Sequence, residues 1–281
     1  MANAPLPNDG PIRIDGVDLP NGHRLAVFIT EGPLGPGTPF EMVPALWATD
    51  TRHKQVGRWW WALRTTKGMF PVLLDGLDNG EPFGQRRPWD ADEELRNWNP
   101  FVPDEDNVGE ILASTFWDNE DEEGFEHFFA SFREFPGLAP SQQTALPVSQ
   151  VESAVIGQPA AWFGLVPAQR SADVPLEAGW FGTSDAFSLG PWGEWDPAGA
   201  MTAILRSWES RFGARVLRMG FASLHLLIER PPETADEALH VAAELCGVSS
   251  EFQTPDGVAV RKVPEIAEVI REAPVWQMWW D

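Results

Sequence analysis

Several features are scarce in this sequence, and each absence excludes a class of protein. The 281 residues include one cysteine, Cys246, which excludes an intramolecular disulfide and a multi-cysteine zinc site and is typical of a reducing compartment. No stretch approaches the ~20 consecutive apolar residues of a membrane span, and the N-terminus lacks the basic start and apolar run of a signal peptide. We therefore expect a soluble, cytoplasmic protein.

Positive charge is also scarce. Only 20 basic residues face 42 acidic ones, which gives a formal net charge of -22. Such a chain repels the phosphate backbone of nucleic acids and the negative cytoplasmic surface of a membrane, so we expect it to bind neither. The basic residues are mostly arginine, a bias typical of GC-rich bacterial genomes. Tyrosine is absent, and 15 tryptophans and 17 phenylalanines supply the aromatic rings.

The clearest structural pattern runs from Asp196 to Glu229. Asp196 can cap a helix, Pro197 suits its first turn, and Gly213 permits the left-handed residue that ends it. Two stretches rich in Val, Leu and Ile follow, at 214–219 and 223–228, and predict two strands. The helix has one apolar stripe, formed by Met201, Ile204, Leu205, Trp208 and Phe212.

The first half of the chain predicts a separate α+β domain over residues 1–135. We expect strands at 23–30, 40–48 and 69–74 and a helix at 54–66, with Pro44 favouring an edge position for the second strand. Residues 90–134 contain 15 acidic residues but only two arginines, a net charge of -13, with phenylalanines at helical spacing. They predict acidic amphipathic helices at 107–117 and 123–132. The uncharged, Pro-rich stretch 136–147 predicts a linker, which we extend to 136–159.

The second half, residues 160–281, alternates elements in the order strand, helix, strand, strand, helix, strand. The added elements are a strand at 160–167, helices at 235–246 and 263–271, and a final strand at 275–281. Thr234 and Glu237 form a capping box before the first of these helices. This order predicts a ferredoxin-like split βαβ domain, an antiparallel sheet with its helices on one face. The predicted fold class is therefore α+β for both domains.

This half also resembles the bacterial domain-of-unknown-function family 4253, which is frequent in actinobacteria. The resemblance implies a recurring domain and no established activity. The family often has a His after the AAE motif and a Cys-Pro-Asp soon after it, but this chain has Leu245 and CGVSS there, so a site built on those groups would be missing. The matching pieces are Gly179 with Trp180, LRSWESRFGARV at 205–216, Gly220 with the strand after it, ALHVAAEL at 238–245 and the terminal WWD of Trp279 to Asp281.

Candidate chemical sites are weak. A calcium loop beginning at Asn119 fails because its twelfth position is Ala130 and not a bidentate Glu. His240 and Glu244 are four residues apart, and we interpret them as a hydrogen-bonded pair on a helix surface and not as a metal site. Cys246, at a helix C-terminus, is poorly placed for activation. Because no known catalytic motif appears at a strand-to-helix junction, we predict no catalytic residue, metal or cofactor.

Two hypotheses for function remain. The first is a non-enzymatic protein-interaction module, immunity-like or regulatory, that presents acidic and Trp-rich surfaces to a basic partner. The second is a small-molecule binder or enzyme with a cleft between the loop at 179–195 and the C-terminal sheet. The Trp groups can be core packing or surface. The candidate site residues are Trp180, Trp192, Trp195, Glu209, Arg211, His225, Trp279, Trp280 and Asp281.

Overall fold

The structure is a computed structural model that describes residues 5–30, 40–75, 101–117, 132, 134–180, 195–220, 223–249, 251–254, 257–260 and 262–280. Its strands are β1 (Gly10–Ile14), β2 (Val17–Thr30), β3 (Phe40–Thr49), β4 (Phe70–Leu74), β5 (Trp162–Val166), β6 (Arg215–Met219), β7 (Ser223–Leu227), β8 (Glu251–Gln253), β9 (Ala259–Val260) and β10 (Val275–Trp279).

The helices confirm an α+β fold class. They are α1 (Val56–Leu63), α2 (Val108–Trp117), α3 (Val148–Ile156), α4 (Val174–Glu177), α5 (Pro197–Phe212), α6 (Ala235–Cys246) and α7 (Val263–Ile270). In the part of the chain that the structure describes, no helix is both long and apolar enough to cross a membrane. The predicted helix at 123–132 falls almost entirely outside the described residues.

The chain forms two compact units, and neither is continuous in sequence. The first contains residues 1–100, 152–184 and 216–222, and the second contains 101–151, 185–215 and 223–281. The division predicted at 136–159 gave two continuous halves, whereas the chain passes between these units several times. One passage, between Val151 and Glu152, lies within that predicted linker.

The first unit contains a sheet in the order β1-β2-β3-β5-β4-β6. Its neighbours pair antiparallel except β4 and β6, which are parallel. β1 and β2 are joined by Asp15 and Gly16, both with positive φ, in a tight hairpin that Asp-Gly favours. β3 is internal and not an edge strand. Pro44 is tolerated because it lies at a register shift opposite Ala26, outside the stretch of β3 that pairs with β5.

The second unit contains the strand order β7-β10-β8-β9, with antiparallel pairing of β10 to β7 and β8 and of β8 to β9. Its central helix is α5, whose ends follow the prediction. The Asp196 carboxylate accepts a hydrogen bond from Gly199 N, and Gly213 is left-handed at φ 65°. The capping box of Thr234 and Glu237 is also present at the start of α6, and the Thr234 hydrogen bonds lower the pKa of Glu237.

The predicted ferredoxin-like arrangement is wrong, although the elements themselves form. In that arrangement the first and last strands of the segment pair with each other. Instead, β5 lies between β3 and β4, and β10 lies between β7 and β8. All five β5 residues are buried, so this strand needs a neighbour on each edge, and residues 40–74 provide both.

The β5 pairing predicts that residues 160–281 will not fold alone. Such a fragment removes both strands that pair with β5 and exposes Phe163 and Leu165, which are at most 1% exposed in the whole chain. We expect no cooperative thermal transition and poorly dispersed amide resonances for the fragment, measured beside the full chain. A fragment with native-like dispersion would show that β5 does not need its N-terminal neighbours.

Candidate functional site

Two of the candidate tryptophans are buried structural groups. Trp180 is fully buried, and its indole N–H donates to the Gly220 carbonyl at 2.7 Å. Trp280 is buried, and its indole N–H donates to the Val248 carbonyl at 2.6 Å. Each ring therefore fastens a neighbouring backbone segment. The loop at 181–194, with Trp192, and the terminal Asp281 lie outside the described residues, so the predicted cleft beside that loop does too.

The other described indoles divide into core and partly exposed rings. Four rings are at most 2% exposed, and a fifth, Trp162, is also buried. The partly exposed rings offer surface for binding. The core rings are Trp47, Trp60, Trp208 and Trp276, and the half-exposed rings are Trp59, Trp61, Trp195 and Trp279.

A buried ion pair joins α5 to α6. The Glu244 carboxylate is completely buried, and its Oε1 and Oε2 accept from Arg211 Nη1 at 2.7 Å and Nη2 at 2.6 Å. Trp208 Nε1 donates to Oε2 at 2.8 Å, and the Ala139 backbone N–H donates to Oε1 at 2.7 Å. Four donors therefore occupy a carboxylate that can accept about four hydrogen bonds. Arg211, a predicted binding residue, is held in a structural pair.

The segment 136–147 is bound to this pair and is not the free linker that its composition predicted. Besides the Ala139 N–H, the Ala139 carbonyl accepts from Arg211 Nη1 at 2.9 Å. Farther along, Gln142 N donates to the Arg211 carbonyl and Leu146 N to the Glu229 carbonyl. The Pro-rich sequence disfavours a regular helix, and the backbone groups of this segment instead bond Arg211 of α5, Glu244 of α6 and the Glu229 carbonyl after β7.

The predicted surface pair of His240 and Glu244 is wrong. His240 Nδ1 donates to the Asp236 carbonyl at 2.9 Å, and its ring packs edge-on against Phe132. Glu244 lies on the buried side of α6 and bonds Arg211 instead. His240 and Glu244 are one helical turn apart, which would allow them to pair. The buried guanidinium of Arg211, however, stabilises the Glu244 carboxylate far more than the half-exposed imidazole of His240 would.

His225 and Trp279 come together on one face of the β7–β10 pair. His225 lies opposite Gln277 in the register, and Trp279 lies opposite Ser223, two pairs further along and therefore on the same face. Directly opposite residues point to the same side of a sheet. The three half-buried side chains of His225, Gln277 and Trp279 therefore share one side, which we call the His225 face.

The His225 face points away from α5. Trp276, on the alternate side of β10, packs against Trp208 at 6.1 Å and Phe212 at 5.4 Å between ring centroids, so α5 covers that other side. Glu209 and Arg211 belong to α5 and lie across the sheet from His225. The structure thus separates His225 from Glu209 and Arg211, so these three candidate residues do not form one site.

The described polar groups form neither a metal site nor a reactive nucleophile. Among the described residues, no three His, Cys, Asp or Glu side chains come close enough to hold a metal ion. Cys246 is partly accessible as a residue, but its thiol is enclosed, and burial raises its pKa to about 12. At neutral pH this thiol is uncharged and unreactive as a nucleophile. What the surface offers is an aromatic ring with neighbouring hydrogen-bonding groups.

The described residues define an α+β protein whose buried charged groups hold chain segments together. Residues 162–281 match the family model described as "Domain of unknown function (DUF4253)". The resemblance of the C-terminal segment to that family is therefore confirmed. No curated protein and no solved structure matches the chain significantly. The matched segment contributes strands to both compact units.

The central place of Glu244 in the second unit was not predicted from the sequence. A signal was available, because Glu244 follows Val241 by three residues on the apolar side of α6, where a carboxylate needs a partner. The partner, Arg211, was predicted only as a candidate binding residue. Arg211 is 33 residues away from Glu244 along the chain, so no local sequence pattern could predict that the two residues pair.

Glu244→Gln is expected to destabilise the protein by about 3–5 kcal/mol, because it leaves the buried Arg211 without its counter-charge. Urea unfolding followed by tryptophan fluorescence measures this loss. Glu265→Gln is the matched control, since Glu265 is exposed on α7 and its change is expected to alter stability by less than about 0.5 kcal/mol. Equal stability of the two variants would show that the ion pair does not hold the unit together.

Cys246 is expected to resist alkylation in the folded protein. At pH 9, its thiolate fraction is roughly several hundredfold below that of a thiol with the ordinary pKa of 9.0. Iodoacetamide labelling followed by mass spectrometry should be slow when folded and fast in urea. Because folding raises this pKa, the stability that the neutral thiol contributes is complete below pH 9.0 and is lost as the pH rises toward 12. Rapid labelling of the folded chain would contradict an enclosed thiol.

Proposed function

We propose that this protein is a non-enzymatic module that binds another protein, in an immunity-like or regulatory role in the bacterial cytoplasm. The observation that carries the proposal is the His225 face, where a half-exposed Trp279 lies beside two side chains able to donate and accept hydrogen bonds. Tryptophan is enriched among the residues that dominate binding energy in protein interfaces. The neighbouring His225 and Gln277 suit the polar contacts around such an anchor.

Charge in the second unit favours a basic partner. Among the described residues on or beside α6 and α7, exposed carboxylates outnumber the exposed cations, which are Lys262 and Arg271. Net negative charge attracts a basic protein over distances beyond contact and raises its association rate. The exposed carboxylates are Glu233, Asp236, Glu265, Glu268 and Glu272.

The fate of the other candidate groups supports a binding role over an enzymatic one. Arg211 is engaged by Glu244, Ser207 and Ala139, and its guanidinium is only 11% exposed. His225 lies across the sheet from Glu209. General acid–base catalysis needs such groups within hydrogen-bond reach of one substrate. The described geometry offers a contact surface instead.

The proposal predicts that Trp279→Ala weakens capture of the partner from a lysate of the source organism by roughly 30-fold, the effect of losing about 2 kcal/mol at an interface hot spot. A photo-crosslinking residue at Gln277 identifies the bound protein by mass spectrometry. The captured protein should be basic, and added salt should reduce its capture because salt screens the attraction.

Two matched controls distinguish binding at the His225 face from non-specific binding elsewhere on the protein. Trp195→Ala removes another half-exposed indole of the same unit and should leave capture within about threefold of wild type. A crosslinker at Val148, which is 67% exposed, should not label the same protein. The proposal fails if both tryptophan variants bind alike or if both crosslinker positions give the same products.

A further inference from the structure

One part of this acidic chain contains no acidic residue at all. Between Asp50 and Asp75 the sequence has five basic residues, whereas the whole chain has 20 basic and 42 acidic ones. A quarter of the basic residues thus lie in one short stretch of the first unit that has no acidic residue among them. The five are Arg52, Lys54, Arg58, Arg64 and Lys67.

The α1 helix arranges part of this stretch into a line. Arg58, Trp61 and Arg64 follow one another at spacings of three residues along α1 and its C-cap, which places them on one side of the helix, and Lys54 lies in the turn just before the helix begins. Lys54 and Arg58 are exposed, and Trp61 and Arg64 are half-exposed. We call these four residues the α1 stripe.

The α1 stripe stands on a rigid support. On the opposite side of the helix, Val56, Trp60 and Leu63 are at most 2% exposed. Gly57, four residues before Trp61 and therefore on the same side of the helix as that ring, contacts α3 so closely that a Cβ atom there would clash with the Val155 carbonyl oxygen. A helix fixed in this way presents its outer side chains without an ordering cost for its backbone.

Two cations of the α1 stripe have no carboxylate partner among the residues that the structure describes. Arg52, just before the stripe, bonds the Ala160 carbonyl, approaches Asp75 at 3.5 Å and covers the Trp162 ring. By contrast, Lys54 and Arg58 make no ion pair with any carboxylate of the described chain. In a chain with twice as many acidic as basic residues, cations without a carboxylate partner are unusual, and they leave positive charge available for a ligand.

An aromatic surface completes the α1 stripe. The Arg64 guanidinium lies 3.7 Å from the centroid of the Trp61 ring, and its Nη1 donates to the Trp61 carbonyl. This stacking holds Trp61 in a half-exposed position on the helix. An apolar side chain can pack on the ring while carboxylates reach Arg58 and Lys54.

We propose that the α1 stripe is a docking site for an acidic polypeptide segment that carries an apolar side chain. Complementary charge selects the acids, and the ring of Trp61 selects the apolar residue. The eight residues of α1 span only about 12 Å, which suits a short segment. The net charge of -22 opposes long polyanions such as nucleic acid. This site goes beyond the proposed function, because it uses other residues and a partner segment of opposite charge.

The test measures fluorescence anisotropy of short labelled probes with the full chain at low salt. One probe is a glutamate-rich peptide with a central phenylalanine, and a second has alanine in place of that phenylalanine. A third is a single-stranded oligonucleotide of equal charge. We expect the phenylalanine peptide to bind most tightly, by roughly fivefold over the alanine peptide.

Variants assign the binding to the α1 stripe. The double change Lys54→Glu with Arg58→Glu should weaken the phenylalanine peptide at least about tenfold. Arg13→Glu with Lys262→Glu makes the same change in net charge at exposed positions elsewhere and should alter binding less than about twofold. Trp61→Ala should abolish the preference for phenylalanine over alanine, and circular dichroism confirms that each variant is folded.

Three results would overturn the proposal. They are absent peptide binding at low salt, equal weakening by the two charge-reversed pairs, and tighter binding of the oligonucleotide than of either peptide. The last result would assign the α1 stripe to nucleic acid. None of these results bears on the His225 face, whose variants lie at other positions, so the two proposals succeed or fail separately.

Discussion

The second unit depends on the burial of one carboxylate. A fully buried Glu244 is tolerable only when its oxygens are saturated with donors, and these come from two separate places in the sequence: Arg211 and Trp208 on α5, and the backbone at Ala139. Trp208 must turn its indole N–H toward α6, and its ring then packs edge-on against Trp276 of β10. Charge pairing thus fixes the position of the helices against the sheet and also fixes the extended segment that contains Ala139. The same hydrogen bonds occupy the guanidinium of Arg211, so this side chain is not available to bind a ligand.

A second constraint lies at β5, in the first unit. This strand begins the family-matched segment, yet its partners β3 and β4 come from residues outside that segment. Because β5 is buried along its whole length, its apolar sequence predicts a core strand whatever the fold. The sequence alone does not specify which strands lie beside it. The matched segment is therefore a unit of sequence, whereas the compact units of the structure combine residues from both ends of the chain.

The sequence predicted what is decided locally. The caps of α5, its stop at Gly213 and the capping box at Thr234 depend on contacts within a few residues, and all three are present. Strand partners, the tethering of 136–147 and the true partner of Glu244 depend on contacts across tens of residues, and those predictions were wrong. Composition made 136–147 a linker because it has no charge or regular pattern, yet its backbone groups supply what Glu244 and Arg211 need. The β1–β2 hairpin was missed although Asp15 and Gly16 carried a local signal.

The use of tryptophan finally limits where binding can occur. Most of the described indoles are packed in the core, so surface recognition through tryptophan rests on few rings, among them Trp279 and Trp61. Their surroundings differ in charge: carboxylates are abundant in the unit that contains Trp279, whereas cations flank Trp61. The net charge of the chain adds to the attraction of a basic ligand at the first surface and opposes an acidic ligand at the second, and salt limits both effects to charges within a few Debye lengths of about 8 Å. An acidic ligand must therefore be short enough to meet the α1 stripe without facing the rest of the protein, while a basic protein gains from the whole field.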